Sequence, residues 1–125
     1  MAYVMIVDDH ADSCEPLALF LEKAGHTVRC IANGRQAVAE VIQRPPDVVV
    51  LDLLMPEMDG PSFLEVTRSY LRLQTLPVVV LTALGDSPLI ERVRHLKVSA
   101  ILLKGKATHQ DIHAAVERAM RELPT

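Results

Sequence analysis

Five short apolar runs alternate with five longer segments of helical period along this chain. The runs are Tyr3–Val7, His26–Ile31, Val48–Leu51, Val78–Leu81 and Ile101–Leu103. Their Val, Leu and Ile residues are mostly continuous, which predicts strands of a parallel sheet buried on both faces. The first helix is expected over residues 12–24, with Leu17, Phe20, Leu21 and Ala24 inward and Gly25 closing it. Pro16 fits that helix if it falls in the first turn, where a missing N–H costs little. Asn33-Gly34 marks the turn into a second helix with Ala37, Val38, Val41 and Ile42 inward, stopped by Pro45-Pro46. The third follows Gly60 and presents Phe63, Leu64, Thr67 and Leu71. Ser87-Pro88 reads as N-cap and first position of the fourth helix. The fifth opens on a Thr108-x-x-Asp111 capping box and carries Ile112, Ala115, Val116, Ala119, Met120 and Leu123 as its apolar stripe.

Strict alternation of strand and helix predicts an α/β fold: a doubly wound five-stranded parallel sheet with helices on both faces. Right-handed crossovers favour the flavodoxin-like order 2-1-3-4-5. No linker or repeat interrupts the pattern, so residues 1–125 are expected to form one domain.

That order matters because the strands end in different chemistries. The first runs into Asp8-Asp9, the third into Asp52, the fourth into Thr82 and the fifth into Lys104. Residues past the carboxyl ends of parallel strands converge on one crevice. At about 4 Å and an effective dielectric near 20, each carboxylate pair there repels by roughly 4 kcal/mol. One ammonium cannot balance three carboxylates, so the set calls for a hard cation with oxygen ligands, and Mg²⁺ fits best. Phosphoryl transfer needs a metal, an in-line nucleophile and positioned donors, and a carboxylate can be that nucleophile. Asp52, with no acid in the next four positions, is the candidate. Lys104 and Thr82 would hold phosphoryl oxygens.

Composition narrows the alternatives. A net charge of -3 argues against a nucleic-acid surface. There is no apolar stretch of membrane-spanning length and no secretory leader pattern, which makes cytoplasmic the expectation. Cys14 and Cys30 lack metal-ligand spacing and are expected as reduced thiols, and the five histidines form no ligand motif along the chain. His10 is expected to be an exposed loop residue, and the basic group Arg92, Arg94, His95 and Lys97 a solvated helix face.

Val4-Met-Ile-Val-Asp-Asp9, Val49-Val-Leu-Asp-Leu-Leu-Met-Pro56 with Asp59-Gly60, Val79-Val-Leu-Thr-Ala83 and Leu103-Lys104 together resemble the signatures of response-regulator receiver domains. The resemblance covers almost the whole chain. It implies that Asp52 is the phosphoacceptor, loaded from a phosphohistidine on a sensor histidine kinase or phosphotransfer protein. Asp9, Asp52 and the backbone carbonyl of Leu54 would bind Mg²⁺ directly, and Asp8 largely through water. Thr82 and Lys104 would hold the phosphoryl group. The output partner or effector domain would meet the face formed by helix four, strand five and helix five.

Three positions depart from the family pattern. Ile101 stands where receivers carry Tyr or Phe, so the usual coupling of the threonine to an aromatic ring is expected to be reduced or absent. Gly105 replaces the proline after the lysine, and the Lys104–Gly105 bond is expected to be trans. Lys97 stands in the turn after helix four where receivers often have a glycine, and a left-handed conformation there would carry a modest strain cost. Leu54 and Leu84 would flank the phosphoryl group and limit attack by water.

Three other readings compete. A flavodoxin-type carrier would need a phosphate-cradling loop where Asp8-Asp9 stand, and aromatic residues to sandwich a flavin. A haloacid-dehalogenase-type phosphatase needs a second acid where Leu54 stands. A pseudo-receiver, working only through protein contacts, is favoured by Ile101 and Gly105 and opposed by Asp52, Thr82 and Lys104.

Overall fold

The structure, a computed structural model, describes residues 2–83, 85 and 87–122. Its elements are β1 (Tyr3–Val7), α1 (Ala11–Lys23), β2 (Thr27–Ile31), α2 (Gly34–Gln43), β3 (Val48–Leu51), α3 (Gly60–Arg68), β4 (Val78–Thr82), α4 (Pro88–Arg94), β5 (Ala100–Leu103) and α5 (His109–Arg121). The sheet is parallel throughout, in the order β2-β1-β3-β4-β5, as the alternation predicted.

Successive strand residues point to opposite faces, which splits the core in two. Met5, Val7, Val49, Leu51, Val78 and Val80 pack against α2, α3 and α4 through Ala37, Val41, Phe63, Leu64, Ile90 and Val93. Val4, Ile6, Val48, Val50, Val79 and Leu81 pack against α1 and α5 through Leu17, Leu21, Ile112 and Val116. The starts of α2, α4 and α5 have a local cause. Asn33 accepts from the Gln36 amide at 2.7 Å, Ser87 from Leu89 at 3.0 Å, and Thr108 and Asp111 make both bonds of the capping box. No helix among the described residues is long and apolar enough to cross a membrane.

Several expectations are corrected. Pro16 is the sixth residue of α1, not in its first turn. It lies on the exposed side, where water can serve the carbonyl that loses its partner. Ala24 is exposed at the α1 C-terminus. α3 stops at Arg68, and a 3-10 turn over Leu71–Leu73 buries Leu73 and leaves Leu71 83% exposed. The half-buried Arg68 supports that turn by donating to the carbonyls of Leu73 (2.9 Å), Leu96 (3.0 Å) and Lys97 (3.3 Å). Lys97 is left-handed, with φ 60°. Leu84 and Leu123 lie outside the described residues.

The largest correction concerns the thiols. Cys14 and Cys30 form a disulfide joining α1 to the edge strand β2, with Cα atoms 6.4 Å apart. Packing α1 over β1 and β2 brings together two residues separated by 16 positions, and no spacing rule reports that.

Candidate functional site

Backbone bonds hold the site residues at the strand ends. The Asp8 amide donates to Ile31 O (3.0 Å), the Asp52 amide to Val7 O (2.9 Å), and the Lys104 amide to Thr82 O (2.8 Å). Each side chain therefore leaves a rigid ladder, which suits precise positioning. Asp8, Asp52 and Thr82 are buried. Lys104 Nζ reaches between the acids, 2.8 Å from Asp8 Oδ2 and 3.4 Å from Asp52 Oδ2. The Lys104–Gly105 bond is trans, and Gly105 takes φ +86°, so the lysine reaches the acids without the family's proline.

Asp8, Asp9, His10 and Asp52 each offer a ligand atom, all within 4.8 Å of one another. Asp9 Oδ1 is buried and receives no hydrogen bond, although His10 Nδ1 lies 3.0 Å away. Buried carboxylate oxygens are normally satisfied, so an orphaned one inside an acidic cluster fits a cation. His10 is 63% exposed at its side chain, as expected of a loop residue, yet it joins this cluster and sits 3.3 Å from Asp8 Oδ1. Its place beside the acid pair in sequence was the available signal.

Burial raises the Asp52 pKa above its ordinary value; Lys104 opposes that shift and Asp8 reinforces it. Burial works to lower the Lys104 pKa, but its hydrogen bond to Asp8 and its attraction to Asp52 leave it raised. The crevice thus holds a firmly charged ammonium beside an acid that resists ionisation unless more positive charge arrives.

The loop after Asp52 is set by close backbone approach. The Gly60 amide donates to Leu53 O at 2.9 Å, and a Cβ on Gly60 would lie 2.6 Å from Asp52 O. Asp59 caps α3 by accepting from the Ser62 amide at 2.8 Å. Arg92 of α4 crosses to Asp59 (3.4 Å) and Glu65 (2.9 Å), so it is engaged with α3 and not simply solvated. Leu54, two residues past Asp52, is 59% exposed.

A model of the response regulator receiver domain matches residues 4–117. The chain belongs to this family. The receiver domain is 34% identical over 86 residues to the DNA-binding dual master transcriptional regulator RpaA of Synechocystis sp., covering 69% of this chain and 36% of that protein. It is 32% identical over 123 residues to the protein-glutamate methylesterase/protein-glutamine glutaminase of Archaeoglobus fulgidus, covering 96% of this chain and 34% of that one. The chain therefore spans about a third of the length of these curated relatives. Among solved structures, the signal receiver domain of a histidine kinase from Syntrophus aciditrophicus superposes with TM-score 0.87 at 29% identity, over 97% of this chain and 91% of that one. Chemotaxis protein CheY4 of Vibrio cholerae superposes with TM-score 0.86 at 25% identity, over 95% and 98%. Receiver domains serve phosphorylation-based two-component signalling.

Proposed function

We propose that this receiver domain, residues 1–125, is a signalling switch that accepts a phosphoryl group on Asp52 from a sensor histidine kinase or phosphotransfer protein. One observation carries the reading: Asp52 is buried at a strand end, with Lys104 Nζ 3.4 Å away and ligand atoms of Asp8 and Asp9 within 4.8 Å. An Asp52 carboxylate oxygen attacks phosphorus while the P–N bond to the donor imidazole breaks. The electron pair returns to that nitrogen, which takes a proton. Lys104 and Thr82 bind phosphoryl oxygens. Asp9, Asp52 and the Leu54 carbonyl would hold Mg²⁺, with Asp8 acting through a water; the unsatisfied Asp9 Oδ1 supports that assignment. When bound, Mg²⁺ supplies neutralisation of the equatorial oxygens.

The domain promotes its own phosphorylation and dephosphorylation and is not a turnover enzyme. Its output passes through the α4–β5–α5 face to a partner or effector domain. Ile101 is half-buried in β5 and has no ring to swing, so the signal travels through backbone shifts in the loop after Thr82. The setting is cytoplasmic, with no direct nucleic-acid contact by this acidic domain.

The test is beryllofluoride binding with Mg²⁺, paired with labelling by acetyl phosphate. The parent should bind the mimic and take the label, and Asp52→Asn should take none. A parent that binds no beryllofluoride is a pseudo-receiver.

A further inference from the structure

Two of the five histidines, far apart in sequence, meet in space. His26 precedes β2, and His113 and Glu117 lie one turn apart on α5. Folding brings His26 Nε2 to 3.2 Å and His113 Nε2 to 3.1 Å from the same Glu117 Oε1. The His26 and His113 rings meet edge to face with centroids 5.5 Å apart. Phe20 closes one side at 6.1 Å from His113.

We propose that His26, His113 and Glu117 form a binding site for a transition-metal dication of the Zn²⁺ class. Metal–ligand bonds of about 2.0–2.1 Å in a tetrahedron place neighbouring ligand atoms roughly 3.3 Å apart. The two nitrogen–oxygen separations are close to that already. Two imidazoles and a carboxylate suit Zn²⁺, Co²⁺ or Ni²⁺ and disfavour Mg²⁺, which takes oxygen ligands. The i,i+4 pair on α5 is a preformed chelate, and the nearly buried His26 side chain (5% exposed) is held in place by packing. His113 and Glu117 are 25% and 37% exposed, which leaves a solvent-facing position for a fourth ligand.

The site lies at the opposite end of the sheet from Asp52. α5 starts beside the strand carboxyl ends and runs back, while His26 sits where β2 begins. Oxygen ligands at one end and nitrogen-rich ligands at the other would sort two metals between two sites. Occupancy clamps the middle of α5 to His26, at the amino-terminal edge of the sheet. Ligation has one local consequence. His26 Nδ1 now accepts from the Ala2 amide at 3.3 Å, so Nε2 carries the ring proton. Metal on Nε2 moves that proton to Nδ1 and turns the Ala2 amide away.

The experiment is titration of the whole chain with Co²⁺, then Zn²⁺, in excess Mg²⁺ to occupy the acidic crevice. One equivalent of Co²⁺ should give visible bands of a four-coordinate site. Zn²⁺ should shift the ring nitrogens of His26 and His113 and the Ala2 amide in NMR spectra. Glu117→Gln keeps the side-chain shape and should weaken binding on the order of 10- to 100-fold, His113→Ala likewise, with Asp9→Asn unaffected. Absence of the bands, unchanged affinity in both α5 variants, or Zn²⁺ shifts confined to His10 would each overturn the assignment. These readouts do not depend on phosphorylation, so failure at Asp52 and failure here are separable.

Discussion

Lys104 is more tightly engaged with Asp8 than with Asp52, at 2.8 Å against 3.4 Å. The lysine therefore serves as counter-ion to Asp8 and Asp52 before any phosphoryl group arrives, and must share its protons with that group afterwards. Lys104→Met removes the only ammonium in the crevice among the described residues. Stranding buried carboxylates costs on the order of 3 kcal/mol. Urea unfolding should show that loss in metal-free buffer and a large part of it recovered with Mg²⁺. Equal losses with and without Mg²⁺ would contradict the pairing.

The raised Asp52 pKa sets a pH dependence. A group whose folded value exceeds its unfolded value stabilises the fold below the unfolded value, about 3.9 for Asp, and that contribution is lost as pH rises through the folded value. Asp52 is therefore a liability at neutral pH without metal. Asp52→Asn should raise the Tm by a few degrees at pH 7 without Mg²⁺. The gap should close near pH 3.5, and thermal scans across this range check it.

The Cys14–Cys30 bridge closes a loop of 16 positions. Constraint of the unfolded chain by such a loop amounts to about 3 kcal/mol. Cys30→Ser, or dithiothreitol on the parent, should lower the urea midpoint accordingly, while reductant should leave the variant unchanged. In a cytoplasmic setting this bridge is exposed to reductants, and Cys30 is on the surface.

Gly60→Ala places a methyl group 2.6 Å from Asp52 O and 2.7 Å from Leu53 Cα. Backbone cannot give way as a flexible side chain does, so a loss of about 1–3 kcal/mol is expected. The β3–α3 loop should move with it, and Mg²⁺ affinity should fall because Asp52 is displaced. Unfolding and Mg²⁺ titration together measure both.

Leu54 is exposed beside Asp52, where an apolar side chain offers attacking water no hydrogen bond. Leu54→Glu or Leu54→Asn should shorten the life of the aspartyl phosphate severalfold, timed by loss of label. An unchanged lifetime removes Leu54 from any role in water access.

Much of the fold was legible because it rests on local periodicity. Ser87, Asn33 and Thr108 cap the helices they precede, and the continuous Val and Leu runs became central strands. The crevice was legible for a related reason: parallel strands all end at the same edge, so naming the strands placed Asp8, Asp52, Thr82 and Lys104 together. Helix exits were harder to read. Leu71 matched the inward stripe of α3, yet the helix ends three residues earlier and Leu73 takes the buried place. Periodicity carries no information about where packing stops a helix.

The chain alone therefore determined the order of elements, the parallel sheet and the acidic edge, since each follows from neighbours in sequence and the handedness of crossovers. Only the tertiary structure decided that Cys14 meets Cys30, that Arg68 supports the loop at Lys97, and that His26 shares Glu117 with His113. Those contacts join side chains on different elements. Their meeting depends on how helices lie across the sheet, a property of three-dimensional packing that no spacing along the chain encodes.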